Sequence, residues 1–468
     1  MNKNSICSTV GLVGSSFLLQ PVMAQAQKAP VESGDRPNIV IIVADDLGWG
    51  DVGFHQSSIK TPNLDRVAKQ GIILDRFYTA PVSSPTRAGL MTGRYPNRFG
   101  IRKTVIPPWR EYGLDETEET IADVLGDAGY EHRAVIGKWH LGHGRKAYYP
   151  LNRGFNYFYG HLNGAIDYFT HEREGELDWH KNWESCYDKG YSTDLIAREA
   201  VRYVNDHKKE PFFLYVAFNA PHTPLQAKPE DIALYTSDLE SLSKKEQNRC
   251  IYSAMVTCMD RGIGDIYNTL EKNGQLDNTI FLFFSDNGTD GKGGSSGELR
   301  GFKFQEWDGG VRTAAVIQWN KGFKQPRKVE QVTGFVDVLP TLRDILDVKK
   351  APKRELDGIS VRSVLTGERE SIRRDFYLGC GAVVNQDWKL ILPGQNNHMK
   401  NLGTGYLVDY KNDPYEQKNS AANNPEEMQR LKKIAEKYDA VKPVFEEKDY
   451  GLGKDTFKAP KEWKIVKP

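Results

Sequence analysis

The 468-residue sequence has almost no charge surplus: 63 Lys+Arg stand against 62 Asp+Glu, a formal net charge of +1. A nucleic-acid binder needs a basic excess to displace counterions, so that class is excluded. Cysteine is scarce, at 5 residues, too few for a disulfide scaffold. After the N-terminus no apolar run approaches the ~20 residues that a membrane span requires. What is present is a hydrophobic share of 39%, with 11% aromatic residues, enough for a large core and against wholesale disorder. The expectation is a soluble globular protein of enzyme size, without nucleic-acid partner or membrane span.

Residues 1–26 read as a secretory signal, with Lys3 as the positive start, an apolar stretch from Val10 to Leu19, and Ala24-Gln25-Ala26 as a small-x-small cleavage site. Gly11 and Gly14 within that stretch argue against an ordinary buried helix. A linker over 27–36, an α/β domain over 37–370 and a C-terminal α+β subdomain with a Lys-rich tail over 371–468 follow. Cys7 falls in the signal. Cys250 and Cys258 lie in a helical pattern, where eight residues rise ~12 Å, beyond disulfide reach. Pairing of Cys186 and Cys380 is left open.

From Pro37 to about Leu346, buried-strand patterns alternate with helical ones. Asn38–Val43 is a continuous apolar run, as expected of a strand covered on both faces. Similar runs are His132–Ile136, Phe212–Phe218, Thr279–Phe284 and Ala314–Trp319. Helices are expected from Pro62, capped by Thr61, to Gly71, and over Glu118–Ala128 and Ser253–Lys272. This alternation implies a mostly parallel mixed sheet flanked by helices. Beyond Phe376 the short runs Trp388–Leu392 and Tyr406–Asp409 suggest a small antiparallel sheet, followed by a charged helix over Pro425–Tyr438.

The unusual polar residues cluster after the strand runs. Asp45-Asp46 follows the first, Gly137-Lys138-Trp139-His140 the second, Pro221-His222 the third and Ser285-Asp286-Asn287-Gly288 the fourth. In an open α/β sheet the carboxyl ends of the strands form one ligand-binding crevice. Asp45, Asp46, Asp286 and Asn287 are all-oxygen donors suited to a hard divalent ion, with Ca²⁺ favoured over Mg²⁺. Asp286-Asn287-Gly288 alone equally fits a simple turn, and Asp45-Asp46 a helix cap. Adjacent carboxylates after a buried strand, however, repel unless a cation compensates. Ser83-Ser84-Pro85-Thr86-Arg87 sets Ser83 at or before a helix N-terminus, where free amides favour an anion and Arg87 offers a fork for tetrahedral oxyanions.

Ser83-x-Pro85-x-Arg87 with Thr92-Gly93-Arg94 resembles the signature of type I sulfatases, of the alkaline phosphatase superfamily. Asp45-Asp46-Leu47-Gly48, Gly137-Lys138-Trp139-His140-Leu141-Gly142, Ser285-Asp286-Asn287-Gly288, Leu299-Arg300-Gly301-Phe302-Lys303 and Glu306-Trp307-Asp308-Gly309-Gly310-Val311-Arg312 extend the likeness over residues 37–409. The one departure is Arg312-Thr313-Ala314, where relatives often carry Arg-Val-Pro. The resemblance implies an alkaline phosphatase-like fold and a sulfuric ester hydrolase whose Ser83 is converted to formylglycine. It implies a sulfatase-maturating radical enzyme as partner and a bacterial periplasmic or secreted location.

By the same resemblance, one Ca²⁺ is held by Asp45, Asp46, Asp286, Asn287 and residue 83. The hydrated aldehyde at position 83 attacks sulfur, Arg87, Lys138 and Lys303 neutralise the sulfate oxygens, His222 protonates the leaving sugar oxygen, and His140 removes a proton from the second hydroxyl to release sulfate. Asp51-Val52-Gly53-Phe54-His55 and the segment from Tyr157 to Glu172 look closest to arylsulfatase B, which implies exo removal of 4-O-sulfate from galactose or N-acetylgalactosamine units of a sulfated oligosaccharide or polysaccharide. His143, Asp167, His171 and Trp307 are candidate sugar-binding residues, with core packing an equal alternative. Competing readings are a phosphatase or phosphodiesterase of the same superfamily, which needs an Asp-His where Asp286-Asn287 stands, and a non-catalytic binder of sulfated glycans with Ser83 unconverted.

Overall fold

A computed structural model of the chain describes residues 1–2, 36–394, 402–444 and 448–465. The expected signal from residue 3 onward, Cys7 and nearly all of the linker lie outside the described residues.

Strands β1 (Asn38–Ala44), β2 (Ile72–Leu74), β3 (His132–Lys138), β4 (Tyr157–His161), β5 (His180–Lys181), β6 (Glu184–Ser185), β7 (Phe212–Ala217), β8 (Thr279–Ser285), β9 (Ala315–Gln318) and β10 (Arg327–Val329) form one sheet. Its spatial order is β10-β2-β9-β8-β1-β7-β3-β4-β5-β6. The centre, β8-β1-β7-β3-β4, is parallel. β9 runs antiparallel to both neighbours, and the far hairpin closes the other side in antiparallel fashion. Side chains of a strand alternate between faces. In β1, Ile39, Ile41 and Val43 join one core cluster and Val40, Ile42 and Ala44 the other. This two-sided burial is why the run carries no polar residue after Asn38.

Helices α1 (Pro62–Gln70), α2 (Ser83–Thr92), α3 (Ile121–Asp127), α4 (Ser192–Asp206) and α5 (Lys244–Lys272) accompany the sheet. α5 begins well before the Ser253 expected from periodicity. Ser243 and Glu246 form a capping box there, so a run of polar residues enters the helix without an apolar stripe to announce it. α3 is shorter than expected because a second box, Thr120 with Asp123, sets its start. Thr61 occupies the cap position of α1 but directs its hydroxyl elsewhere, accepting from the Gly53 amide at 2.7 Å and donating to Asp65 at 3.2 Å. Cys186, Cys250, Cys258 and Cys380 are free thiols. Among the described residues no helix is long and apolar enough to cross a membrane.

The small antiparallel sheet consists of β11 (Phe376–Gly379), β12 (Ala382–Val384), β13 (Trp388–Ile391) and β14 (Tyr406–Asp409), covered by α6 (Pro425–Asp439). Its core is continuous with that of the large sheet: Phe376 packs on Tyr78 and Tyr95, and all three belong to one cluster. The tail then returns to the large domain. Trp109 Nε1 donates to the Tyr450 carbonyl at 2.6 Å, and buried Trp463 donates from Nε1 to the Arg173 carbonyl at 2.9 Å.

Candidate active site

The site sits at the carboxyl ends of β1, β3, β7 and β8, where chain segments that leave the sheet must turn away and expose their polar groups. Asp45 and Asp46 follow β1 directly, and Asp46 takes a left-handed φ of 64°. Lys138 ends β3, and His140, at φ 55°, follows it. Two such non-glycine residues in one site store backbone strain that the packed surroundings hold in place. Gly288 closes the turn after β8; a Cβ there would stand 1.9 Å from the Gly309 carbonyl oxygen, so this position admits only glycine.

Ser83 is the first residue of α2, entirely buried, with Val82 at the cap position and Pro85 two residues into the helix. Its hydroxyl donates to Asp286 Oδ2 at 2.6 Å and accepts from Arg87 Nε at 2.9 Å, while His140 Nδ1 lies at 3.3 Å. Arg87, one turn along α2, also donates from Nη2 to Asp286 Oδ2 at 2.8 Å. Lys138 Nζ donates to Asp45 Oδ2 at 2.6 Å, and Lys303 Nζ to both oxygens of Asp46 at 2.7 and 2.8 Å. Asn287 Nδ2 donates to Asp46 Oδ1 at 2.7 Å, and His222 Nε2 lies 3.6 Å from Asp46 Oδ2. Residues separated by some 200 positions are thus joined by single hydrogen bonds.

The electrostatics follow from burial. Desolvation raises the Asp45 carboxyl well above its ordinary range, against Lys138, with Asp286 and Asp46 adding repulsion. Desolvation also acts on Asp286, but Arg87 and Lys138 outweigh it and hold that carboxyl low. Burial, reinforced by Lys138 and Arg87, pushes the His140 imidazole well below its usual value, which keeps it neutral and able to accept a proton. His222 is lowered to about 3 by burial, with Asp46 pulling upward and Lys303 downward. Lys303 remains above the ordinary amine range because Asp46 and Asp45 offset its desolvation.

Asp45 Oδ1 and Asn287 Oδ1 are buried without a hydrogen-bond partner among the described residues. Buried polar atoms are ordinarily satisfied, so two orphan oxygens beside Asp46 and Asp286 mark where a cation fits. Asp45, Asp46 and His222 also bring ligand atoms within 4.8 Å of one another. The oxygen-rich donor set suits a hard divalent ion. The site opens into a cavity of about 980 Å³ whose lining includes Ser83, His140, His222 and Lys303.

The four candidate sugar-binding residues are held by contacts of their own and do not belong to the residues that line this cavity. His143 is buried, bonded through Nε2 to the Pro108 carbonyl at 2.9 Å and set edge-on to Trp463. Asp167 accepts from the Phe169 and Thr170 amides and from Gln226, so its carboxylate closes a turn. His171 stacks on Trp179 and bonds to the Gly190 carbonyl. Trp307 is buried between Tyr406 and the Arg300 guanidinium, 3.8 Å above its ring. Beyond Ser83, His140, His222 and Lys303, the cavity is lined by residues that the sequence did not single out, among them Lys103, Arg173, Phe304, Lys448 and Tyr450. They come from loops, a two-residue strand and the tail, where no periodicity or motif marks them.

The sulfatase family profile matches residues 37–348. Mouse arylsulfatase J is 33% identical over 368 residues, covering 75% of this chain and 60% of that protein. Rat N-acetylgalactosamine-6-sulfatase is 30% identical over 383 residues, covering 76% of this chain and 70% of that protein. The crystal structure of Ps i-CgsB in complex with k-i-k-neocarrahexaose superposes with a TM-score of 0.78 at 31% identity, over 90% of this chain and 97% of the other. With the motif residues gathered at one sheet edge and the family match spanning that whole sheet, the chain belongs to the sulfatase family of sulfuric ester hydrolases.

Proposed function

We propose that the protein hydrolyses sulfate esters of a sulfated carbohydrate at residue 83, in an exported bacterial setting. The observation that carries this reading is the buried Ser83 hydroxyl, held by Asp286, Arg87 and His140 at the floor of an open cleft. Asp45, Asp46, Asp286, Asn287 and the oxygen of residue 83 would hold one Ca²⁺, which when bound lowers the pKa of an oxygen it touches. A maturating radical enzyme would convert Ser83 to formylglycine, whose hydrate carries two hydroxyls on one carbon.

The remaining chemistry belongs to side chains present in the chain. Arg87, Lys138 and Lys303 neutralise the sulfate oxygens, a preorganised set whose charges need no reorientation during reaction. His140, neutral and 3.3 Å from the residue 83 oxygen, takes the proton that lets sulfate depart. His222 faces the cleft and donates a proton to the leaving sugar oxygen; the negative charge of an arriving sulfate favours its protonated form.

For substrate we propose exo removal of 4-O-sulfate from galactose or N-acetylgalactosamine units. The likeness to a structure bound to a neocarrahexaose supports an oligosaccharide of that type, and the arylsulfatase B-like segments support position 4. Matured protein should release sulfate from a 4-sulfated member of a panel of 4-, 6- and 2-sulfated saccharides. Release confined to the 6- or 2-sulfated members would refute the positional assignment. The mass of the peptide spanning Thr79–Arg87 tests conversion, which removes two hydrogens.

A further inference from the structure

The reacting centre occupies only part of the cavity. The rest is walled by residues 103–108, by Arg173 and by the tail residues Lys448, Asp449 and Tyr450. Arg173 lies on a two-residue strand, Glu172–Arg173, and its backbone carbonyl takes the hydrogen bond from Trp463 that anchors the tail. The neighbouring tail is pinned again by Trp109 to the Tyr450 carbonyl and by Arg110 Nη2 to the Asp449 carbonyl at 2.6 Å. The tail therefore forms a fixed wall across the cleft.

That wall is cationic. Arg173, Lys103 and Lys448 face the cavity, with Asp449 as the acidic residue of the same lining. Arg173 reaches Glu174 at 3.3 Å through Nη2, but its Nε is buried and has no hydrogen-bond partner among the described residues. The rest of the guanidinium is partly exposed on the cleft, so an anion entering there meets a fork of N–H donors. Arg87, Lys138 and Lys303 already serve the sulfate at residue 83, so these cations have no part in neutralising the scissile group.

We propose that Arg173, with Lys448, forms a second anion-binding position on the tail side of the cleft, which receives another anionic group of the same saccharide. The substrate class is then a multiply anionic oligosaccharide, rather than a lone monosulfated sugar. This rests on the carbohydrate sulfatase reading above, and it makes the C-terminal tail a determinant of specificity.

The experiment compares kcat/KM of full-length matured protein on a disulfated disaccharide and on its monosulfated counterpart, with a monosulfated, uronate-bearing disaccharide as third arm. Arg173→Gln and Lys448→Ala should each lower the disulfated-to-monosulfated ratio, by about tenfold for Arg173, the scale of one lost charge-assisted contact, and through KM. Arg173→Lys should recover part of the ratio, since it keeps the charge and loses the fork. The tail anchor uses the Arg173 backbone, so side-chain substitution leaves it in place. Preference for the uronate arm as well would assign the position to any anion; preference for the disulfated arm alone would assign it to sulfate. A ratio unchanged within about twofold in both variants would overturn the proposal. Calorimetric titration of the same disaccharides into unconverted protein separates the two readings. Absent sulfate release with retained preference for the disulfated ligand counts against the sulfatase reading and for the anion position, whereas turnover without that preference counts the opposite way.

Discussion

Two buried charge clusters in this molecule look alike by composition and differ in what they can do. At the sheet edge, Asp45, Asp46 and Asp286 face Arg87, Lys138 and Lys303. Beneath the small sheet, Lys389 donates to Asp308 Oδ1 at 2.8 Å and to Glu416 Oε1 at 2.7 Å, while the Tyr410 hydroxyl donates to Asp308 and the Asp308 amide to Glu416. Lys389, Asp308 and Glu416 are as deeply buried as the active-site residues. Among the described residues, none of these four side chains has a buried atom without a partner. It fastens β13 to the segment after Lys303 and to the loop that follows β14. Burial of charge is therefore common to both; among the described residues, unsatisfied oxygens beside groups that line a cleft belong to the first alone.

The contrast is broken most sharply at Ser83. Ser83→Ala should reduce sulfate release by about 10⁴-fold or more, as loss of a nucleophile does, with circular dichroism unchanged. Retained turnover would show that the sheet-edge cluster is structural too. Lys389→Met should act in the opposite sense, costing about 3–5 kcal/mol in chemical denaturation because Asp308 and Glu416 are left buried without their cation. A destabilisation below about 1 kcal/mol would mean that the cluster relaxes by admitting water or protons.

Cation binding separates the clusters next. Ca²⁺ at about 100 times its dissociation constant should stabilise the protein by ~2.7 kcal/mol, read as a rise in melting temperature that a chelator reverses. Asp45→Asn should remove most of that rise, whereas Lys389→Met should leave it intact. An equal response in wild type and Asp45→Asn would place the ion elsewhere.

The smallest effect concerns Glu306, buried between the clusters in sequence and raised to about 8 by desolvation, against the pull of Lys389. Its folded-state value lies above the unfolded 4.5, so the folded protein holds the proton more tightly across that interval. The stability from this group is full below about pH 4.5 and is lost as pH rises through about 8, at no more than ~1.4 kcal/mol per pH unit. Glu306→Gln should flatten the fall in stability between pH 6 and pH 7, measured by denaturant titration at each pH. An unaltered slope would assign the dependence to other groups.

Much of this arrangement was legible beforehand, for physical reasons specific to each element. β1, β7 and β8 are covered on both faces, so their apolar runs stand out whatever the rest of the chain does. The charged residues after them are equally conspicuous, since a chain leaving a buried strand has few reasons to carry adjacent acids. The beginning of α5 was hidden because its first turns are polar and its capping box is a local signal without a hydrophobic stripe. The packing of His143, His171 and Trp307 was hidden for a related reason: polar-edged aromatic side chains serve equally in a core and at a site, and only their neighbours decide.

The amino-acid order thus determined the parallel sheet and the polar motifs that gather at its carboxyl ends, because each depends on short-range periodicity or on chemistry carried within a few adjacent positions. Tertiary structure alone decided which charges remain unsatisfied, which aromatics are core, and that the tail walls the cleft beside Arg173. Those properties arise from contacts between segments hundreds of residues apart, such as Arg173 with Trp463, and no local pattern encodes the distance between them.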